Sequence, residues 1–379
     1  MARLSFKKAG LLSPKTLREE IVQDIDQMDQ IQGENVASAN TEFAAVDLDA
    51  PEENYFQIGG AVAPMRQVDR AAESPIGTLG NINEKDITTY SFKEKLAPEK
   101  ETDAKLNSER EILSLYRWAA NQLRAALFLT REQITWQGTE SVEGFIGQDG
   151  QSPHSDIPTD NVIDPTNAYD DRANSTPYQD FSYASYLLNE ADQTFMNAQV
   201  SGDPVAYVSP SVWHDTKNNE DMKDRFSGVE VRGLTGEQVR RLVDEEIPEI
   251  RMVKVKLPRT DANGNYLDED GNQVDDLDNA AMDNVLEPYD PAADTTRRNI
   301  VIGRPGPSSA FLPWFGENMG EFDEPDAPSL EGGFAVDSSR GFGTQTWIGN
   351  DPAVTWLKAF QDIGFHLMLP EHWVVIRDI

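Results

Sequence analysis

The stretch "IGFHLMLPEHWVVIRDI", Ile363 to Ile379, constrains the fold more than any other part of this chain. Phe365, Leu367 and Leu369 alternate with Gly364, His366 and Met368. Pro370 and Glu371 interrupt, and Trp373, Val374, Val375 and Ile376 then run without a polar residue. Short apolar runs rich in β-branched and aromatic residues, split by a turn signal, predict strands buried on both faces. Chain termini are ordinarily frayed and polar unless the fold ties them down. These residues are therefore expected in the core, with the rest of the fold built before they close it.

The other strong signal is helical. In "NSEREILSLYRWAANQLRAALFLTREQ", Ser108 and Glu111 form a capping box. Ile112, Tyr116, Ala119, Leu123 and Leu127 share one face, widened by Leu113, Ala120 and Phe128. A helix of this length with so broad an apolar stripe reads as a structural spine over 108–132, with Tyr116 and Trp118 expected in the core. Before it, "GGAVAPMRQVDRAAESPIGTLGNINEKDITTYSFKEKLAPEKE", Gly59 to Glu101, has a β-prone centre at Ile87–Phe92 and few large apolar residues. A hairpin with so little to bury is not stable alone, so it is expected to project and lie on a neighbour.

The N-terminal segment is polarised. Arg3, Lys7, Lys8, Lys15 and Arg18 occur with no acid among them, whereas Glu19 to Gly60 holds acids and no Lys or Arg. Ser13 and Pro14 could start a helix with a narrow stripe at Leu17, Ile21, Ile25 and Met28. That helix is too polar to make a core of its own and reads as an arm that docks elsewhere; packing on its own domain is the plainer alternative. Downstream, Phe181–Phe195 reads as a helix, and "DPVAYVSPSVW" as a strand running into a helix begun by Ser209 and Pro210. Thr235 and Gln238 fit a second capping box, and "EIRMVKVKL" and "RRNIVIG" read as strands.

Composition then narrows the setting. The chain has 379 residues, 66 acidic and 33 basic, for a formal charge of −33. Such a charge strains a compact state in dilute buffer, but in molar salt the Debye length is about 3 Å and the repulsion is lost. A halophile's protein is the expectation; the rival, an acidic disordered chain, is disfavoured by seven Trp, sixteen Phe and ten Tyr. With no cysteine, disulfides, thiolate metal sites and cysteine nucleophiles are excluded. No stretch approaches the roughly 20 apolar residues of a membrane span, and the N-terminus lacks the apolar region of a secretory signal.

Catalytic motifs do not emerge. There is no phosphate-binding loop; "RGFGTQT" lacks the full dinucleotide fingerprint and "PGPSSA" is no nucleophile elbow. His154, His214, His366 and His372 form no metal-binding motif, and His366 and His372 read as core residues before they read as a metal pair. The acid-rich run 261–294 does not fit the pattern of a calcium loop. Gly264 is fourth from Asp261 rather than sixth, Asn272 stands where Glu is needed, and restarting at Asp268 fails in the same way. Asn263–Gly264 and Asp270–Gly271 fit hairpin turns better. Asp261, Asp268, Asp270, Asp275 and Asp276 are the only candidates for a cation, with Na, K, Mg or Ca at an acidic surface as the ions in question. No cofactor is expected, and no enzyme. A nucleic-acid reader needs basic patches, and only the first eighteen residues supply one.

Arm, projecting hairpin, spine helix, mixed α/β insertion and closing strands, in that order, resemble the major capsid proteins of tailed viruses, the Hong Kong 97 capsid fold, best in its lambda-type branch. "DPVAYVSPSVWHDT" resembles the entry into the family's inserted domain, and "GNDPAVTWLKAFQDIGFHLMLPEHWVVIRDI" its C-terminal end. The resemblance covers most of the chain after Asp47 and is one of architecture rather than of invariant residues. It implies an α+β fold with an N-terminal arm (1–50) and an extended hairpin loop (59–101). It further implies a peripheral domain (51–58, 102–200 and 341–379) and an inserted axial domain (201–340) carrying the acidic loop. It implies hexamers and pentamers of this chain tiling an icosahedral shell around double-stranded DNA, with the portal as a partner and decoration or turret proteins as further candidates. No membrane is involved. The location implied is the virion, assembled in the cytoplasm of a salt-loving archaeal host. Lys7, Lys8, Arg18 and Lys85 are the candidates for contacts between subunits. Lys85 is the loop-tip candidate for the lysine–asparagine crosslink of some relatives, and the short arm argues against the proteolytic processing of others. An encapsulin-type cellular compartment, with the same fold, and a halophilic enzyme of unrelated fold remain as alternatives.

Overall fold

The computed structural model describes residues 36–45, 52–59, 81–88, 90–96, 109–194, 204–224, 249–261, 264–304, 310–312, 335–339, 342–348, 355–367 and 369–379. The expected arm helix with Lys7, Lys8 and Arg18, the cap at Ser108 and the capping box at Thr235 lie outside these residues. The fold is α+β. Its first elements are β1 (Val36–Ala37), α1 (Ala39–Glu42), β2 (Ala44–Ala45), β3 (Glu52–Gly59), β4 (Asn81–Thr88), β5 (Tyr90–Leu96) and the long helix α2 (Glu109–Trp136). There follow β6 (Val162–Ile163), α3 (Pro177–Thr194), β7 (Val205–Val208), α4 (Pro210–Asn218), α5 (Glu220–Asp224) and β8 (Glu249–Val253). Two short ladders, β9 (Lys256–Pro258) with β10 (Met282–Asn284) and β11 (Tyr289–Asp290) with β12 (Thr295–Thr296), flank the acidic loop. The chain ends through β13 (Ile300–Gly303), β14 (Ala310–Leu312), β15 (Ala335–Ser339), β16 (Phe342–Ile348), β17 (Thr355–Ile363), β18 (His366–Leu367) and β19 (Trp373–Ile376).

The main sheet has the order β1-β8-β7-β13-β19-β6. Its central strands are apolar at every position because both faces are covered, and the period of two divides them cleanly. Val205, Tyr207, Val301, Trp373 and Val375 face a cluster with Trp136 of α2, Phe145 and Phe365. Ala206, Val208, Ile300, Ile302, Val374 and Ile376 face a second cluster with Phe181 and Leu188 of α3, Val212 of α4 and Met222 of α5. Phe43 joins the first cluster, its ring 5.9 Å from that of Trp136 and 5.8 Å from that of Trp373. The expectation of a buried closing stretch holds: Phe365, Leu367, Leu369 and all of β19 are buried.

The closing strands serve three sheets, and β18 pairs with β14 in the sheet β18-β14-β2. β17 pairs with β5 and β16 in the four-stranded sheet β15-β16-β17-β5 and packs beside α2. β19 instead enters the main sheet between β13 and β6. The strands on either side of Pro370 therefore do not form one continuous sheet beside the spine, as the family resemblance implied. The two-residue repeat of the side-chain pattern does not distinguish the partners of similar strands.

The long helix is present over Glu109–Trp136, with Ala119, Leu123, Leu127 and Phe128 buried as its stripe requires. Trp118 is a correction: it is 58% exposed. It lies one residue, about 100° of helical turn, before Ala119 and so off the buried face. Ser209 caps α4 as expected, its hydroxyl accepting from the Val212 amide at 3.2 Å, with Pro210 in the first turn. Gly264 and Gly271 both have φ near +80°, the left-handed conformation that the expected hairpin turns require.

Candidate assembly surface

β3 and β4 pair antiparallel over eight residue pairs, from Glu52↔Thr88 to Gly59↔Asn81, and form a two-stranded sheet by themselves. The hairpin therefore begins at Glu52 rather than Gly59, and β5, taken in the sequence as its second half, belongs to the sheet beside α2. Lys85 sits within β4 opposite Tyr55, not at the connection formed by residues 60–80. The β-prone centre at Ile87–Phe92 was a composite of the end of β4 and the start of β5.

The acidic loop is organised by its own backbone. Asp261 accepts from the Asn265 amide at 2.8 Å and from the Asn265 side chain at 2.9 Å. Asp268 accepts from the Asp270 and Asn272 amides at 2.9 and 2.8 Å, and these bonds, the Asn272 amide first, hold its carboxyl below the usual range. Asp276 caps a short turn at Asp278, while Asp270 and Asp275 are exposed members of the same loop. Among the described residues no three His, Asp or Glu side chains come together as a metal site. The loop is braced by Arg259, which grips Asp283 through two bonds of 2.7 and 3.0 Å and lies 4.4 Å above the Tyr289 ring.

Arg172, Arg251, Arg297, Arg298 and Arg377 are tied to acids of the same chain. Asp215 takes Arg172 at 3.1 Å and Arg298 at 2.7 Å; Arg297 bridges Asp290 and Asp378, each at 3.1 Å; Arg377 pairs with Asp164 and donates to the Gln151 carbonyl at 2.7 Å. Arg251 pairs with Glu42, whose carboxyl burial nonetheless pushes up, and Tyr207 donates to the same carboxyl at 3.0 Å. These pairs fasten the closing residues and the α1 turn to the main sheet rather than forming a basic face.

Two other features were not legible as function in the sequence. The first is Glu132, fully buried near the end of α2. It accepts from the Ser38 hydroxyl at 2.5 Å, the Ala39 amide at 2.8 Å and the Trp136 indole at 2.9 Å. A single carboxylate thus latches the start of α1 onto the spine. The second is the outward face of α3, where Gln179, Tyr183, Tyr186 and Asn189 are all exposed. Tyr183 and Tyr186 stack, centroids 6.2 Å apart and 15° between planes. In a chain of this acidity an outward helix face whose described exposed residues are two tyrosines, a glutamine and an asparagine has the composition of a protein contact. Its i, i+4, i+7, i+10 spacing was the available signal.

His372 is buried and His366 half-buried, in keeping with core positions. No helix among the described residues is long and apolar enough to cross a membrane.

No family model matches the chain, and no curated protein does. Solved structures do resemble it. The capsid of Myoviridae phage XM1 aligns at 7% identity and a TM-score of 0.48, covering 92% of this chain and 95% of that one. A putative capsid protein of a prophage from E. coli CFT073 aligns at 14% identity and 0.46, covering 96% and 98%. The SrpI encapsulin of Synechococcus elongatus PCC 7942 aligns at 10% identity and 0.43, covering 92% and 91%.

Proposed function

We propose that this chain is the shell-forming capsid protein of a tailed double-stranded DNA virus, built on the Hong Kong 97 plan and suited to high salt. One observation carries the reading: the β3–β4 hairpin has an eight-pair ladder and, among the described residues, no third strand. An isolated two-stranded ribbon is at best marginal in water, so this one calls for a surface outside its own sheet. A neighbouring copy supplies it in a shell. The tyrosine face of α3 gives a second place where copies of so acidic a chain can meet.

On this reading the residues before Val36 are the arm, 36–45 belong to the subunit's own sheets and core rather than to it, and the hairpin is the extended loop. The sheet beside α2 belongs to the peripheral unit, and 201–340 with its acidic loop to the axial one. Hexamers and pentamers close the shell, with a portal at one vertex and room for decoration proteins, in virions assembled in the host cytoplasm. Lys7, Lys8, Arg18 and Lys85 are then contacts to acidic neighbours. The compartment reading is favoured by one fact: the described arginines named above pair with their own acids and so form no phosphate-neutralising patch.

Replacing residues 52–88 by a short linker tests the shell claim. The subunit is expected to fold, with unchanged far-UV circular dichroism outside the lost strands, and to form no shells by light scattering. Loss of the subunit fold would contradict the hairpin's role. Nuclease-protected DNA inside native particles supports the viral reading, and its absence the compartment.

A further inference from the structure

The outward side of α3 is built alike in both directions. Gln179, Tyr183, Tyr186 and Asn189 follow one another at spacings of four, three and three, so they form one row along the helix, and all four are exposed. From either end the row runs amide, tyrosine, tyrosine, amide. Its tyrosines are two of the six exposed large apolar side chains among the described residues. Their rings stack on each other, so each limits the other's freedom before anything binds. Asp180, beside the row, is half-buried and accepts from the Tyr169 hydroxyl at 3.0 Å, which engages it within its own subunit.

We propose that this row is a two-fold contact, with α3 of a second copy lying antiparallel across it and tyrosines set on tyrosines. The polar groups choose a second copy as the occupant. Each hydroxyl and each amide is both donor and acceptor, so an identical row can satisfy them all, whereas a carboxylate surface offers acceptors alone. Charge agrees. A chain of formal charge −33 meets itself at least cost where the described exposed side chains carry no charge. The register follows from the row. With the axis between Ala184 and Ser185, Tyr183 comes opposite Tyr186 of the copy, and Gln179 opposite the turn that holds Asn189 and Glu190. Parallel helices would instead bring the two Glu190 positions together, like charge on like. Four side chains from each copy bury less than the about 1,200 Å² of a stable complex, so this is a weak contact that adds to others. The proposal rests on the reading of α3 as a place where copies meet, and not on closure of the shell.

The chain has no cysteine, so crosslinking can read the register directly. Gln179 and Asn189 are ten residues, about 15 Å, apart on one helix and cannot be joined within a chain by a short reagent. In full-length protein in molar salt, Gln179→Cys with Asn189→Cys is expected to give a covalent dimer with bis-maleimidoethane and nothing larger, because a two-fold contact closes on itself. Either cysteine alone is expected to give little dimer, since like positions lie about 14–17 Å apart along the antiparallel helices. No dimer, a ladder of longer products, or efficient linking by either cysteine alone overturns the proposal. Adding Tyr183→Asp with Tyr186→Asp sets four carboxylates together and is expected to cut the dimer about tenfold or more. Both tyrosines are exposed, so the thermal midpoint should stay where it was. An unchanged dimer yield in that background overturns it as well. Closed shells that lack the 179–189 link contradict this contact alone, and small open assemblies that form it uphold the contact while contradicting the shell.

Discussion

Gly303 and Trp373 stand opposite each other on β13 and β19, and a Cβ placed on Gly303 would lie 2.1 Å from the Trp373 ring. The indole occupies the space that any other side chain at 303 would need. Trp373 in turn packs 4.5 Å, centroid to centroid, from Phe145 and so cannot simply move aside. Gly303→Ala is expected to destabilise by about 1–3 kcal/mol, the usual range for overpacking, read from chemical denaturation in high salt. An unchanged midpoint would show that the closing strand is not locked as described.

Glu132 is expected to matter through the donors it satisfies. Glu132→Ala leaves the Ser38 hydroxyl, the Ala39 amide and the Trp136 indole without their common acceptor. An orphaned buried donor costs about 1–3 kcal/mol. Thermal unfolding should therefore fall markedly, with faster hydrogen exchange at α1. A Glu132→Ala protein as stable as the parent would mean that Phe43 and the Glu42 contacts to Arg251 and Tyr207 suffice to hold α1.

Asp180 gives a pH dependence of known sign. Burial raises its pKa to about 6 from 3.8, with the Tyr169 hydrogen bond opposing and Asp221 adding. The folded state then binds more protons than the unfolded one between those values. Stability from this group is present below the unfolded pKa and is lost as pH rises to about 6. Asp180→Asn, whose carbonyl can still accept from Tyr169, is expected to be the more stable form above pH 6 and to lose its advantage toward pH 4. Parallel stability curves for the two proteins would contradict this.

Salt should govern association. At 0.01 M the Debye length is about 30 Å, so subunits of formal charge −33 repel across whole interfaces, whereas at 1 M it is about 3 Å. Assemblies are expected to scatter light strongly in molar salt and to dissociate on dilution, with divalent ions giving partial protection. Assemblies that persist through dialysis into low salt with a chelator would contradict the halophilic reading.

The sequence made the core legible where periodicity and burial coincide. The unbroken apolar runs of β7, β13 and β19 and the stripe Ala119, Leu123, Leu127 needed no tertiary knowledge. Ser209 and Gly271 were legible because capping and left-handed turns are local chemistry. Partner choice was not. Nothing in "TWLKAFQDI" and "WVVI" says that one strand joins β5 and the other β13, because pairing is decided by what lies across the ladder. Trp118 misled for a related reason. Its size suggested burial, but its angle on the helix decided otherwise. Glu132 was invisible as a latch, since its partners Ser38 and Ala39 are more than ninety residues away.

The central claim is that this chain closes into shells, and imaging tests it most directly. The full-length protein, purified in molar salt and examined by cryo-electron microscopy, is expected to show closed icosahedral particles. The β3–β4 hairpin of each subunit should lie against the next one. Monomers or small open oligomers across a concentration series, with the hairpin folded onto its own subunit, would contradict the account.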